Sequence, residues 1–316
     1  MFLDLRAHRG SPVTGASSLE AGRVEVGQDA SAGRFWAWLL VGITAVWGWT
    51  FVAIHDAVAT MHPSAFVAYR FLGAAVVMAV GLLPVLRGLT RVEVVGGVLA
   101  GAALFVGYAL QTLGLESTTP SNAAFITGMA VVFTPLLLFV AFRVRPRPGQ
   151  VASVLLAAVG LALLTMRGLQ VHYGDLLVLG TAIAFAAHVI ILSRVSVIAH
   201  PGRLTMVQMV TVGLLGLAWS GSTGNLSRPA TTGVWVALVV CAVVASAFAY
   251  FVQTKAQAAA VSPTRVAVIF TLEPVFGGLF GYWLAGDRFT ALNLVGATLI
   301  LAAMLITELR GAESRE

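Results

Sequence analysis

Tyr108-Ala-Leu-Gln111-Thr112 recurs in the same chain as Tyr250-Phe-Val-Gln253-Thr254. Each copy lies in an apolar segment long enough to cross a bilayer. In each, the ring and the amide stand three residues apart, hence on one face of one helix. The recurrence predicts a chain built twice, and matched polar groups inside two membrane-embedded copies make the protein a candidate transporter.

Composition bounds the class. Of 316 residues 59% are hydrophobic and 10% charged, where a soluble domain carries about 25% charged residues; mean hydropathy is +0.92. The apolar residues come in long runs, not stripes, as expected of helices in lipid or a large buried core. The sole cysteine, Cys241, excludes an internal disulfide and any multi-cysteine metal site, and in its apolar run it reads as an inert small hydrophobe. No cofactor or metal is expected. Net charge is +6. The arginines sit mostly between the apolar runs, where they set topology and meet anionic headgroups; no basic-aromatic surface calls for nucleic acid. The expected partners are the bilayer and a small-molecule substrate.

Residues 1–34 are polar and of mixed charge, and read as a disordered cytoplasmic tail; no apolar stretch of signal-peptide length follows Met1. Ten spans follow, at about 35–58, 64–86, 92–115, 121–142 and 150–166, then 174–197, 204–220, 233–254, 263–284 and 291–309. Most approach or exceed the ~20 residues that cross ~30 Å of hydrocarbon. The first five-helix repeat is thus expected over 35–166, the second over 174–309, and a short cytoplasmic tail over 310–316. With the N-terminus inside, the inside positions are Arg6, Arg9, Arg23, Arg34, Arg87, Arg91, Arg143, Arg145, Arg147, Arg194, Arg203, Arg310 and Arg315; only Arg167, Arg228 and Arg288 lie outside. That imbalance predicts a multi-pass protein of the cytoplasmic (inner) membrane with both termini in the cytoplasm.

Five spans per half is an odd number, so the second copy must enter from the opposite side, as an inverted repeat. Other anchors agree: His62-Pro63 with His200-Pro201 (offset 138), Pro120 with Pro263 (143), Pro135 with Pro274 (139) and Tyr108 with Tyr250 (142). The fold class expected is an all-α integral membrane protein of ten transmembrane helices in two inverted five-helix repeats.

The segment Gln111-Thr-Leu-Gly-Leu-Glu-Ser-Thr-Thr-Pro-Ser-Asn-Ala-Ala-Phe-Ile-Thr127, with Val131-Val-Phe-Thr-Pro135, resembles the first repeat of EamA-type transporters of the drug/metabolite transporter superfamily. Val261-Ser-Pro-Thr-Arg-Val-Ala-Val-Ile-Phe-Thr-Leu-Glu273-Pro274-Val-Phe276 and Gly286-Asp287-Arg288 resemble the second. Asp287 stands where that family usually has glutamate, and Arg143-Val-Arg-Pro-Arg147 replaces the first-half counterpart. Trp47-Gly48 fits as well. The resemblance spans about 36–310 and implies two inverted halves around a central substrate cavity. It also implies a carrier of small metabolites, often an exporter of amino acids or related compounds. Fold-level likeness does not choose the solute, so the site is argued from residues.

Glu273, directly before Pro274, is costly in mid-membrane unless paired, protonated or facing water. Either it faces the cavity, binding a substrate ammonium or carrying a proton, or it ties up groups at the proline kink or on another helix. His188 is a second candidate for proton coupling and for substrate contact, or a hydrogen-bonded interior histidine. Tyr108, Gln111, Tyr250 and Gln253 suit the orientation of a small zwitterion in an apolar cavity; interhelical bonding or an interfacial belt is the alternative. Trp47 and Trp49 are candidate cavity walls. Asn122, Phe125 and Thr127, after Pro120, form a candidate anion-receiving helix start, with helix capping by Ser121 or Asn122 as the alternative. Arg70 either pairs with a carboxylate or snorkels. Gly97-x-x-x-Gly101 and Gly277-x-x-x-Gly281 read as close helix contacts.

The leading expectation is a secondary active transporter working by alternating access. No nucleotide-binding loop of the Gly-x-x-x-x-Gly-Lys-[Ser/Thr] type occurs. An intramembrane enzyme and a passive channel are the competing classes. For the former, His55-Asp56 is the best pair, and adjacent helix residues diverge by about 100°.

Overall fold

The computed structural model describes residues 17–146, 148–165, 172–258 and 269–312. Pro263 and the rest of 261–268, which open the expected ninth span, lie outside the described residues. Helices α1 (Ser17–Val58), α2 (Pro63–Leu86), α3 (Arg91–Gly114), α4 (Pro120–Gly128), α5 (Ala130–Phe142) and α6 (Pro148–Thr165) make the first half. The second half has α7 (Tyr173–Val195), α8 (Pro201–Ser222), α9 (Thr232–Ala242), a π-helical turn (Val243–Phe248) and α10 (Ala249–Ala258), then α11 (Leu272–Leu284) and α12 (Ala291–Ala312). Eight of the resulting spans are long and apolar enough to cross a membrane, and Ala291–Thr307 is a shorter apolar helix. The protein is a ten-span all-α membrane protein. Helix α1 already runs from Ser17, where a disordered tail to residue 34 was expected; no proline interrupts that stretch.

Local chemistry sets the helix ends. Thr90 and Glu93 form a reciprocal capping box on α3: the Thr90 N–H donates to Glu93 Oε2 at 2.8 Å and the Glu93 N–H to Thr90 Oγ1 at 3.3 Å. Pro63, Pro120 and Pro201 occupy first-turn positions, where their missing N–H costs nothing. Two spans break inside the membrane. Span four divides at Met129 into α4 and α5, ahead of Pro135. Span nine turns at Thr271, so Pro274 falls in the first turn of α11. Met129 and Thr271 both keep right-handed helical dihedrals, so the two spans are kinked at these points without being unwound.

The packing repeats the duplication. Span two packs on seven, four on nine and five on ten; span three packs on six as span one packs on eight, and three on seven as two on eight. Exchanging the halves leaves this pattern unchanged, as a pseudo-two-fold axis requires. Glycines permit the closest crossings. A Cβ on Gly48 of α1 would lie 2.7 Å from the backbone nitrogen of Gly277 in α11. Gly97 and Gly101 face Val207 and Thr211 of α8, while Gly277 and Gly281 face Ala124 and Ser121 of α4. Outward-facing Val80, Val140 and Leu155 are all well exposed, as a lipid-facing surface demands.

Candidate functional site

The two halves enclose a cavity of about 150 Å³. Trp47, Thr50 and Phe51 of α1 form one wall, Phe185, His188 and Val189 of α7 another. Tyr108 and Gln111 of α3 stand with Tyr250 and Gln253 of α10. The broken spans supply Thr127 to Val131 in part, Thr134, Phe270 and Glu273, and Met304 of α12 completes the lining.

The recurring motif converges at the centre. The Tyr108 and Tyr250 hydroxyls are 2.9 Å apart, although 142 positions separate them. Tyr108 packs edge-on against Phe185, with ring centroids 5.2 Å apart, and Tyr250 against His188 at 5.8 Å. Trp47 lies 5.7 Å from both Tyr250 and Phe270. Gln111 Nε2 donates to Thr127 Oγ1 at 3.3 Å. Gln253 is buried with its Oε1 unpartnered among the described residues, so that oxygen has an unused acceptor capacity beside the cavity.

The π-helical turn gives α10 its position in the site. Widening the helix frees carbonyls from the usual ladder. Ala245 O accepts Trp47 Nε1 at 2.8 Å. The adjacent Ser246 Oγ accepts Arg70 Nε at 2.8 Å, and Arg70 Nη2 donates to Tyr108 Oη at 3.2 Å. Arg70 therefore neither snorkels nor meets a carboxylate among the described residues: α2 faces the bundle, and the guanidinium is buried against the Tyr108 ring, its Cζ 4.3 Å from the centroid. His188 Nε2 pairs with Gln208 Oε1 at 2.8 Å, and Gln208 Nε2 donates to Leu204 O at 3.2 Å. The Leu204 carbonyl fixes the amide orientation, so His188 Nε2 carries the hydrogen.

Among the residues singled out from sequence, Trp47, Tyr108, Gln111, His188, Tyr250, Gln253, Glu273 and Thr127 line this cavity. Trp49, Asn122 and Phe125 do not. Trp49 is two residues from Trp47, about 200° round the helix, and borders a separate pocket with Asp56 and Thr231. Asn122 lies in the capped first turn of α4, its N–H donating to Thr119 Oγ1 at 3.2 Å. Phe125 is core, packed against Gly278. His55 and Asp56 pair at 3.3 Å but are exposed near the end of α1, away from the cavity. Glu273 lies in the first turn of α11, just past the break at Thr271 inside span nine, and its side chain reaches the cavity.

Sequence reading missed Thr50, Phe51, Thr134, Phe185 and Phe270. A signal existed: the 138-residue offset between the two His-Pro pairs places Phe185 opposite Trp47 and His188 opposite Thr50, and the 139-residue proline offset places Glu273 opposite Thr134. All six line the cavity.

Ten apolar spans in two opposed repeats, enclosing a cavity lined from both halves, are the architecture of a membrane transport protein. The EamA-like transporter family matches residues 34–166 and 172–309, and the chain belongs to that family. It is 33% identical over 272 residues to an uncharacterized transporter of Archaeoglobus fulgidus, covering 85% of this chain and 84% of that one. It is 24% identical over 280 residues to the uncharacterized transporter YyaM of Bacillus subtilis, covering 84% and 91%. A solved protein crystal structure shares the fold with a TM-score of 0.63 at 16% identity, over 88% of this chain and 98% of that one.

Proposed function

We propose that this transporter is a secondary active carrier of small metabolites, of the amino-acid type, working by alternating access in the cytoplasmic membrane with both termini inside. The observation that carries the reading is the meeting of Tyr108 and Tyr250, one from each repeat, in a cavity to which both repeats contribute. A solute held there contacts both halves, so relative rocking of the halves would expose it to one side and then the other. Aromatic walls, two glutamines and one carboxylate match a small zwitterion, with Glu273 taking the ammonium or a proton in turn. Export is the direction we assign, on the family resemblance, and the arginine imbalance supports the orientation.

The test is flux of a labelled amino-acid and metabolite panel in proteoliposomes, with and without an imposed pH gradient. Saturable flux that the gradient enhances is the expected result. Non-saturable flux would make the protein a channel, and product formation without solute movement would make it an enzyme.

A further inference from the structure

Arg70 is a buried cation without a carboxylate at ion-pair distance among the described residues, and its Nη1 has no hydrogen-bond partner there. Such an ion is expensive to bury unless an anion comes near it. A guanidinium has donors only. When Nη2 donates to Tyr108 Oη at 3.2 Å, the Tyr108 hydrogen is free to turn elsewhere, and the hydroxyl within reach is Tyr250 Oη at 2.9 Å. Tyr250 Oη then accepts, and its own hydrogen is left over. No other acceptor among the described residues lies within hydrogen-bond distance of that hydroxyl, and Tyr250 lines the cavity. Hydrogen-bond chains of this kind polarise in one direction, each donor strengthening the next.

We propose that Arg70 is a positioning residue that fixes the donor direction of the Tyr108–Tyr250 pair, so that Tyr250 offers its hydroxyl hydrogen to the carboxylate end of a bound solute. The inference rests on the amino-acid reading of the cavity and deepens it. The solute carboxylate becomes the anion that Arg70 lacks, held at one remove through two phenols. Glu273, on the same cavity, is left to the ammonium end, and the solute's orientation follows. The arginine itself stays buried, hydrogen-bonded to Ser246, and does not touch the solute.

The test uses the full chain in lipid nanodiscs and measures binding of the twenty L-amino acids and their C-terminal amides. Wild type is expected to prefer the acid of any binding pair by about tenfold or more, since an ionised acceptor gains most from a presented donor. Tyr250→Phe and Tyr108→Phe should each remove that preference, and the double variant should lose no more than either alone. Arg70→Met should behave likewise, with partial return in Arg70→Lys. Tyr108→Phe leaves Arg70 bonded to Ser246, so it covers the case in which Arg70→Met does not fold. Retained acid preference in Tyr108→Phe, or additive losses, would overturn the proposal. A second measurement needs no solute. In protein with ring-13C tyrosine, the phenolic C–O stretch assigned by its disappearance in Tyr250→Phe should shift in Tyr108→Phe. An unshifted band overturns the relay. A shifted band with no amino acid bound upholds the relay and overturns the amino-acid reading.

Discussion

The indole nitrogen of Trp47 donates to the backbone oxygen of Ala245 at 2.8 Å, so a wall residue of the first repeat is fastened to the one π-helical turn found among the described residues. The bond joins α1 to the turn that carries Ser246 and leads into Tyr250. It holds the two halves in register at the cavity.

Trp47→Phe keeps an aromatic wall but leaves the Ala245 carbonyl without that donor. The expected cost is about 1 kcal/mol of stability, with a further loss of solute affinity as the turn relaxes. Thermal unfolding and binding in nanodiscs check both; an unchanged melting temperature would mean that the bond contributes nothing.

Gly48→Val drives a side chain into Phe276 and the backbone nitrogen of Gly277, where a Cβ alone would lie 2.6 and 2.7 Å away. Backbone cannot yield as a flexible side chain can. Overpacking of this kind costs about 1–3 kcal/mol, and loss of monodisperse protein is expected. Gly42→Ala on the same helix meets nothing within 4 Å and serves as the tolerated control.

Gln111→Ala and Gln253→Ala should each weaken solute affinity with folding intact. Their effects on the empty protein should differ. Gln111 gives up a bond to Thr127, whereas Gln253→Leu removes an oxygen that already lacks a partner. Gln253→Leu is therefore expected to hold or raise the melting temperature of the empty protein while lowering affinity. Unchanged affinity in both alanine variants would return the pair to structural duty.

Glu273→Gln should abolish gradient-driven transport, and exchange of unlabelled for labelled solute should weaken with it as the ammonium loses its carboxylate. The amide keeps the size of the side chain and cannot carry a proton through the cycle. Flux against external pH is the measurement; an unaltered pH dependence would remove Glu273 from the coupling role.

Orientation is open to direct labelling. In a Cys241→Ala background, a cysteine at Glu116 should react with an impermeant reagent added outside intact cells. One at Val144 should react only after the membrane is opened. Both positions are exposed. The reverse pattern would place the termini outside.

Much of the architecture was legible because its cause is repetitive. Long apolar runs mark spans, and the recurrent Tyr-x-x-Gln and His-Pro pairs mark the duplication. The same periodicity put Tyr108 with Gln111 on one face, and they share the cavity. What stayed hidden depends on rotation about helix axes and on backbone irregularity. Trp47 and Trp49 look alike in sequence, yet opposite faces of α1 carry them to different pockets. Nothing in Val243-Val-Ala-Ser-Ala-Phe248 announces a π-helical turn, so the bonds from Trp47 and Arg70 to that turn could not be anticipated. The burial of Arg70 was equally opaque, since snorkelling and interior bonding require the same residue on the same helix.

Thr134 answers Glu273 and Thr50 answers His188 across the pseudo-two-fold axis, so the cavity is matched in shape but not in ionisable chemistry. In a perfect duplicate that alternated access, the inward-open and outward-open states would be related by the two-fold rotation and equal in energy. Here the carboxyl of Glu273 and the imidazole of His188 both belong to the second repeat. Under the alternating access proposed above, that difference would lift the degeneracy and give the empty carrier an intrinsic resting side, set by which access state better hydrates one carboxyl and one imidazole.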